Sequence, residues 1–489
     1  MTRAWIVLAA LAVGCDGGGE AKGDASAPTA ATTPRADADA KQAEPTAAGD
    51  AVPTESCPDL SKLDIAELPP LPKSDYAPIL DQVWTVVLQK HFDPTLGCVD
   101  WPAKRLEYAN KLEGVSDRKE AYATIDAMLH ELGQSHFRLF GAQDRDVPAP
   151  GPASPPMQVR WIDDELVVVH SEATGHLGPV PAGAVLTGIE DKAVEEIVAS
   201  VKARTDRPTE AAFEIARAAE AYLSCAREGQ QRKVRFSDTG REDMGAVRMV
   251  DCKIPEGELV TLGNLRDVPT RVEHRLIDDG PVGYLAFNVW MLPMVERVKE
   301  SMADLRGKGM KALVLDLRGN PGGVGPMSVP VARLILSEAG SLGELKMRDF
   351  AQQFNVEPDA DPFEGPVAIL VDEGTASTSE IFAQGLQDLG RVVVVGGGPS
   401  AGAALPSLIE ELPGGAVLQY VVGDYHSPKG TVVEGKGVVP DIVVDETKEA
   451  FAEGKDLVLD AAVKHLSEQL SAAGEPPTAP SEPASPTQE

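Results

Sequence analysis

Three short, almost uninterrupted apolar segments lie in the second half of the chain: "KALVLDL" (311–317), "PVAIL" (366–370) and "RVVVVGG" (391–397). Strands that are apolar on both faces are typical of parallel sheets covered by helices on each side. Amphipathic helical segments separate them, such as "PMVERVKESMADLRGKG" (293–309). The pattern predicts a layered α/β domain with crossover connections over residues 259–466.

Two other regions precede this domain. Residues 57–150 show apolar positions at three- and four-residue intervals and are predicted to be helical. Residues 151–258 are predicted to be β-rich, with a helical insert, "TEAAFEIARAAEAYLSC" (209–225). The order of elements around "PAGAVLTGIEDKAV" (181–194) resembles a PDZ-type module, which would bind extended peptides by strand addition. A generic β-rich spacer is the alternative.

The two ends of the chain differ from its middle in amino-acid composition. Residues 1–15, "MTRAWIVLAALAVGC", have a basic start and a short apolar core, as in an export signal, and the ending resembles a lipobox with Cys15 as the lipidated residue. An ordinary signal peptide with a chance cysteine is the alternative. Residues 16–56 are rich in Ala, Pro, Thr, Gly and Asp, and residues 467–489 have the same character, so a disordered tether and tail are expected.

These features predict a lipid-anchored protein of the cell envelope, facing the periplasm or the cell exterior. The formal charge of −31 argues against nucleic acid as a partner. Export would place the four remaining cysteines in an oxidising compartment. Cys57–Cys98 and Cys225–Cys252 are the pairings local in sequence, and free buried thiols are the alternative.

Two segments contain residues suited to chemistry. "LVDEGTASTSEIFAQGLQDLG" (370–390) predicts a strand, a tight turn and a helix, with serines where the helix begins. Free N–H groups and the helix dipole there favour a developing anion, although they equally favour a simple cap. "LVLDLRGNPGGVG" (313–325) predicts a strand that runs into a glycine-rich loop with exposed N–H donors. Without Gly-Lys-Ser/Thr it is not a phosphate loop, and an oxyanion hole is the better interpretation.

Together, "LDLRGNPGG" (315–323), "VDEGTASTSEIFAQGLQDLGRVVVVG" (371–396) and "VEGKGVVPDIVV" (433–444) resemble peptidase family S41, which comprises C-terminal processing and tricorn-like proteases. The resemblance implies a crotonase/ClpP-like spiral of ββα units. It implies Ser377 as nucleophile, with oxyanion donors from the backbone of Thr378 and of Gly322 or Gly323. Ser379 is then expected to cap or pack, and Thr375 to lie in the turn.

The general base is where the sequence departs from the processing proteases. Their lysine position matches Gly402, so a Ser/Lys dyad is not expected, and Lys429 and Lys436 are interpreted as solvated loop residues. The tricorn-like pattern instead implies His136 as the base. Ser135 and Glu434 would orient it.

Several further residues have weaker assignments. His130 is expected at the surface, and His426 is a weak substitute base. Asp316 and Arg318 are expected to form an internal ion pair. No metal or cofactor motif is present in the sequence, so no cofactor is expected.

The resulting hypothesis is a serine-type endopeptidase of the cell envelope that acts on peptides or proteins, which a PDZ-like module could capture by the C-terminus. The alternative from another class is a non-catalytic peptide- or ligand-binding lipoprotein on an S41 scaffold.

Overall fold

The computed structural model describes residues 57–141, 151–172, 178–238, 241–262 and 265–474. The leader, Cys15, the tether 16–56 and the end of the chain from 475 lie outside the described residues. Within these ranges, every helix is too short or too polar to cross a bilayer.

The N-terminal region is helical, as expected. Asp117 caps its third helix by accepting a hydrogen bond from the Glu120 N–H at 2.9 Å. The indole N–H of Trp84 donates to the Trp101 carbonyl at 2.7 Å, which joins the first two helices inside the core. A disulfide links Cys57 to Cys98. The elements are α1 (Ala77–Lys90), α2 (Trp101–Lys111), α3 (Arg118–His130) and the short strand β1 (Arg138–Gly141).

The next region, called here the β-rich module, has a mixed strand and helix composition. Its sheet has the order β2-β3-β4-β6-β7, with β5 paired to β4. Two helices pack their apolar faces on this sheet, and a disulfide joins Cys225 to Cys252. The elements are β2 (Met157–Ile162), β3 (Glu165–Ser171), β4 (Val185–Ile189), β5 (Lys192–Ala193), α4 (Val194–Lys202), α5 (Pro208–Leu223), β6 (Gln231–Asp238) and β7 (Arg241–Asp251).

The remaining region is the α/β domain. Its strands are β8 (Glu258–Leu262), β9 (Leu265–Thr270), β10 (Val272–Leu276), β11 (Val282–Phe287), β12 (Ala312–Asp316), β13 (Gly340–Met347), β14 (Ala351–Val356), β15 (Val367–Val371), β16 (Val393–Gly396), β17 (Ser407–Glu411), β18 (Ala416–Val421), β19 (Gly423–His426) and β20 (Ile442–Val443). Its helices are α6 (Leu292–Gly307), α7 (Ser328–Ala332), α8 (Thr378–Asp388), α9 (Lys448–Ala452) and α10 (Leu457–Gly474).

The central sheet of this domain has the order β10-β11-β12-β15-β16-β20 and is parallel from β11 onward. In β12, Leu313 and Leu315 face the core formed with α6 and α8, whereas Ala312 and Val314 face α10. Alternate residues therefore pack on opposite helical layers, which explains the continuous apolar runs. The prediction of a covered parallel sheet is confirmed.

The last helix extends further than expected. The composition of the tail placed the end of the folded region at 466, but α10 continues to Gly474. Leu466 is buried and Leu470 is partly buried against the same face of the sheet. Because these leucines are four residues apart, one helical stripe continues past the expected boundary.

One buried arginine connects the β-rich module to the α/β domain. Arg160, on β2, contacts carboxylate oxygens of Asp372 at 3.2 Å, Glu373 at 2.9 Å and Glu446 at 2.7 Å. The Trp161 N–H also donates to Glu373 at 3.0 Å. Burial and the neighbouring Glu373 raise the pKa of Asp372 to about 6. Arg160 therefore supplies the charge that compensates an acidic cluster between the two regions.

We predict that Arg160→Met strongly destabilises the protein, by about 3–5 kcal/mol, because it leaves buried carboxylates without a cation. Urea unfolding followed by intrinsic fluorescence would show a lower midpoint. Arg217→Met is the matched control, since Arg217 pairs with Glu220 on an exposed surface and such pairs contribute little. Equal midpoints for the two variants would contradict this role of Arg160.

Candidate active site

Two loops meet at one edge of the central sheet because β12 and β15 are adjacent and parallel. The Gly319 N–H donates to an Asp372 carboxylate oxygen at 2.8 Å, and the Ala376 N–H donates to the Asn320 carbonyl at 3.1 Å. Asn320 is fully buried, and its side-chain amide donates to the Phe287 carbonyl at 2.9 Å. The glycine-rich loop and the serine turn are thus held together as one unit.

Ser377 occupies a strained turn between β15 and α8. Its φ of 55° and ψ of −118° lie in a region that a non-glycine residue rarely adopts. Its N–H donates to the Ala403 carbonyl at 3.1 Å and to a Glu380 carboxylate oxygen at 2.9 Å. Residues on both sides of Ser377 are buried, while Ser377 itself keeps partial solvent exposure. Strain that several contacts maintain in this way is typical of functional turns.

Glu380 supports this turn, although the sequence interpretation assigned it no role. Its carboxylate also accepts from the Ser400 hydroxyl at 2.6 Å, the Gly402 N–H at 2.7 Å and the Ala403 N–H at 2.9 Å. Burial raises the pKa of Glu380 to about 7, while these donors favour its charged form. The Ser-x-x-Glu spacing of a capping box was the pattern that could have identified it.

The expected oxyanion donors differ in availability. The Gly322 N–H already donates to the Asn320 side-chain oxygen at 3.0 Å. The N–H groups of Gly323 and Thr378 have no hydrogen-bond acceptor among the described residues. The Thr378 hydroxyl donates to the Gly323 carbonyl at 3.0 Å, so these two residues lie side by side. Of the two glycines that the sequence left open, the geometry favours Gly323.

The neighbouring hydroxyl groups have internal partners. The Ser379 hydroxyl accepts from the Trp290 indole at 2.8 Å and donates to the Asn320 carbonyl at 3.1 Å. The Thr375 hydroxyl donates to the Leu317 carbonyl at 2.9 Å. Both side chains are fully buried and stabilise the two loops, so Ser379 packs inside the first helical turn, where Ser377 is the N-cap, and Thr375 lies in the turn.

A hydrogen-bonded relay forms from the three other residues that the sequence indicated. The Ser135 hydroxyl lies 2.7 Å from His136 Nδ1 and donates to Glu434 Oε2 at 2.9 Å. The Ser135 N–H donates to Glu434 Oε1 at 2.8 Å. Because a carboxylate can only accept, the Ser135 proton points to Glu434, and His136 Nδ1 must donate to Ser135. His136 Nε2 therefore retains its lone pair.

The relay and Ser377 share one backbone segment. Ser377 donates to the Ala403 carbonyl, and the next N–H, of Ala404, donates to Glu434 Oε2 at 3.2 Å. Within the described residues, no hydrogen bond joins the Ser377 hydroxyl directly to His136. Catalytic hydrogen bonds are often long without substrate and shorten in the Michaelis complex.

The charge state of His136 depends on its surroundings. His136 is half-buried, and burial lowers the pKa of its imidazole to about 4. Glu210 and Glu214 oppose this decrease, while Arg207 and Arg138 contribute to it. The imidazole is therefore neutral at pH 7 and able to accept a proton.

The lysine position of the processing proteases is closed in this chain. Gly402 has a φ of +69°, and a Cβ built on it would lie 2.9 Å from the Lys436 backbone nitrogen and from the Thr209 hydroxyl. Lys429 and Lys436 are solvent-exposed. The structure thus agrees with the expectation that no Ser/Lys dyad forms here.

Three other assignments can be placed. Arg318 contacts Asp316 at 2.7 Å, as expected, and also Asp456 at 2.7 Å. His130 is partly exposed and lies 3.8 Å from Asp126. His426 is exposed and lies 3.1 Å from Asp424, so it does not take part in the relay.

Comparison with known proteins identifies the domain. Residues 281–444 match the family model described as peptidase family S41. The chain carries a peptidase family S41 domain. It is 26% identical over 390 residues to a carboxyl-terminal-processing protease of Synechocystis sp., covering 77% of this chain and 82% of that protein. It is 29% identical over 171 residues to a probable CtpA-like serine protease of Staphylococcus aureus, covering 35% and 34%.

Solved structures share the fold of this chain. The photosystem II D1 C-terminal processing protease aligns with a TM-score of 0.52 at 20% identity, over 81% of this chain and 98% of that one. Mature CPAF aligns with a TM-score of 0.61 at 13% identity, over 82% and 98%. At these identities the likeness establishes the fold alone.

We predict that a lysine at position 402 does not create a catalytic dyad. Gly402→Lys and Gly402→Ala should both lose activity and lower the melting temperature, at a cost of about 1–3 kcal/mol, because any Cβ there requires strained backbone and displaces residues around Glu434. Gly398→Ala is the control, because its Cβ would meet no atom within 4 Å. If both Gly402 variants kept the activity and the melting temperature of the wild type, the requirement for glycine at this position would be contradicted.

Proposed function

We propose that this S41 protein is a serine peptidase that cleaves peptide bonds through an acyl-enzyme on Ser377, with His136 as the general base. The observation that carries the proposal is the Glu434–Ser135–His136 relay beside the strained Ser377 turn. Ser377 is partly exposed to solvent and has a strained backbone conformation. His136 has a fixed tautomer in which Nε2 keeps its lone pair. Each property is one that nucleophilic catalysis requires.

The first step forms the acyl-enzyme. His136 Nε2 takes the Ser377 hydroxyl proton as the serine oxygen bonds to the substrate carbonyl carbon, and the carbonyl oxygen becomes an oxyanion. The N–H groups of Gly323 and Thr378 are the donors available to that oxyanion. His136 then gives its proton to the leaving amine as the C–N bond breaks. Glu434, acting through Ser135, stabilises the transient imidazolium.

Water completes the reaction. His136 removes a proton from water, and the resulting oxygen nucleophile bonds to the acyl carbon. Collapse of the second tetrahedral intermediate breaks the ester bond and returns the proton from His136 to Ser377. The products are two shorter peptides, and the enzyme regains its initial protonation state.

Proteins or peptides are the proposed substrates, and cleavage near the carboxyl terminus is the finer proposal. It is supported by the similarity to the Synechocystis relative, which is a carboxyl-terminal-processing protease. The β-rich module adjoining the site remains our proposed PDZ-like element for capturing a substrate C-terminus.

We also propose that the protein is anchored in the cell envelope through a lipid on Cys15. The leader sequence supports this proposal. The two disulfides, Cys57–Cys98 and Cys225–Cys252, suit an exported protein because disulfides persist in oxidising compartments.

Ser377→Ala should abolish cleavage of a labelled unstructured protein such as casein, with a decrease of about 10⁴-fold or more, while leaving the fold intact. A fluorophosphonate probe should label the wild type at Ser377 and fail to label this variant. Ser379→Ala is the matched control: it should lower the melting temperature, because it removes two buried hydrogen bonds, yet remain labelled at Ser377. A wild type that the probe leaves unlabelled would favour the alternative, a binding protein on an S41 scaffold.

The pH dependence should report the environment of His136. Because burial lowers the pKa of this imidazole to about 4, protonation of His136 should reduce kcat/KM with a midpoint near 4, below the pKa of about 7 to which burial raises Glu380. Between pH 6.5 and about 4 the unfolded chain binds a proton at this residue and the folded chain does not, so the contribution of His136 to stability should decrease as pH falls through this range. Circular dichroism at each pH separates the two effects. An acid midpoint near 6.5 in folded protein would show that the imidazole is solvated.

A further inference from the structure

Helix α5 of the β-rich module reaches across to the relay. The guanidinium of Arg207, the residue before this helix, lies 3.0 Å from Glu434 Oε1. Two positions later, the Thr209 hydroxyl donates to the Gly435 carbonyl at 3.4 Å. Phe213, one turn further, packs against Ala376, Ala401 and Ala403, which surround Ser377. The start of α5 therefore covers the segments that hold Ser377 and Glu434.

Arg207 completes the set of donors around Glu434. Oε1 accepts from the Ser135 N–H and from Arg207, and Oε2 accepts from the Ser135 hydroxyl and the Ala404 N–H. In the described part of the chain, Arg207 is the cation in ion-pair contact with this carboxylate. Among these donors to Glu434, Arg207 belongs to the β-rich module.

The position of Arg207 is itself fixed. Its guanidinium contacts Glu210 Oε2 at 2.7 Å, one helical turn into α5, and the Arg207 side chain is largely buried. Fixing a planar guanidinium between two carboxylates determines its orientation, which a flexible lysine would not achieve equally well. Glu434 is thus held from the module side by a rigid contact.

We propose that Arg207 is a positioning residue for the peptidase reaction, holding Glu434 in the orientation that lets Ser135 and His136 act as a base. The β-rich module would then supply part of the catalytic relay, beyond any role in substrate capture. This inference rests on the proposed function, because it requires that His136 activates Ser377.

The charges around His136 give the proposal a distinctive consequence. Glu210 and Glu214 on α5, Arg207 before it and Arg138 on β1 act on the imidazole. The positive charge of Arg207 lowers the pKa of His136, so its removal should raise that pKa and move the acid limb of activity to higher pH. This shift reports the proximity of the Arg207 charge to the imidazole, whereas positioning of Glu434 is tested by the maximal rate and by the double-mutant cycle.

The experiment compares Arg207→Met and Arg207→Lys with the control Arg217→Met, whose arginine pairs with Glu220 on the same helix but on an exposed surface. The probe is a fluorophosphonate, and the measured quantities are the maximal inactivation rate and the half-saturating probe concentration between pH 4 and 8. In Arg207→Met we expect the maximal rate to fall about 10- to 100-fold, with half-saturation changed less than about threefold. Arg207→Lys should recover part of the rate, and Arg217→Met should match the wild type.

A double-mutant cycle tests whether Arg207 acts through Glu434. In a Glu434→Gln background, Arg207→Met should reduce the rate by less than about threefold, because the carboxylate to be positioned is gone. Equal losses in both backgrounds, or a change in half-saturation alone, would overturn the proposal. The proposal would also be overturned if Arg207→Met showed the wild-type maximal rate and lost activity at the same acidic pH as the wild type.

The failure of this inference can be told from the failure of the proposed function. If Ser377→Ala still reacts with the probe at its active site, the peptidase mechanism itself is wrong. If Ser377→Ala is inert and Arg207→Met behaves as the wild type, the mechanism stands and the role of Arg207 does not. Melting temperatures of all variants show whether a loss of rate reflects unfolding.

Discussion

The pairing of β1 with β18 is the contact on which the active site depends. Four residues, Arg138–Gly141, pair antiparallel with Gln419–Ala416 of the α/β domain. His136 lies two residues before this strand, so the register places the imidazole relative to the domain. Leu139 and Leu418 belong to one core with helices α1–α3, and Leu405 and Leu412 join it. The pairing that joins the N-terminal helices to the α/β domain therefore also positions His136 of the relay.

Two arginines of the β-rich module complement this arrangement from the other side. Arg160 compensates Asp372 and Glu373, which immediately precede the serine turn, and Arg207 pairs with Glu434 in the relay. Both contacts bring a guanidinium to acidic loops. This matters because a buried carboxylate needs a cation or several hydrogen-bond donors. The module is therefore electrostatically linked to both halves of the site.

The sequence was sufficient for features that depend on local patterns. Continuous apolar runs predicted the covered parallel sheet, and the strand–turn–helix around Ser377 followed from composition and spacing. His136, Ser135 and Glu434 followed from resemblance to a family, because their proximity arises from strand pairing that local patterns do not encode. Arg207 and Glu380 were missed because an arginine before a helix and a glutamate in a first turn usually face solvent. Only tertiary contacts identify Arg207, whereas the capping-box spacing from Ser377 could have identified Glu380. The choice between Gly322 and Gly323 likewise depended on the Asn320 side chain.

Gly402 shows why the histidine relay and a lysine dyad exclude each other in this chain. Its N–H donates to Glu380, which holds the Ser377 turn, and its carbonyl accepts from the Gly435 N–H at 2.8 Å, next to Glu434. Gly402, with its positive φ, thus connects Glu380, which supports Ser377, to the segment that contains Glu434. A side chain at this position would push against the backbone of Lys436 and separate the two. The glycine is accordingly a requirement of the relay, because the close approach that brings Glu434 to Ser135 leaves no space for a Cβ.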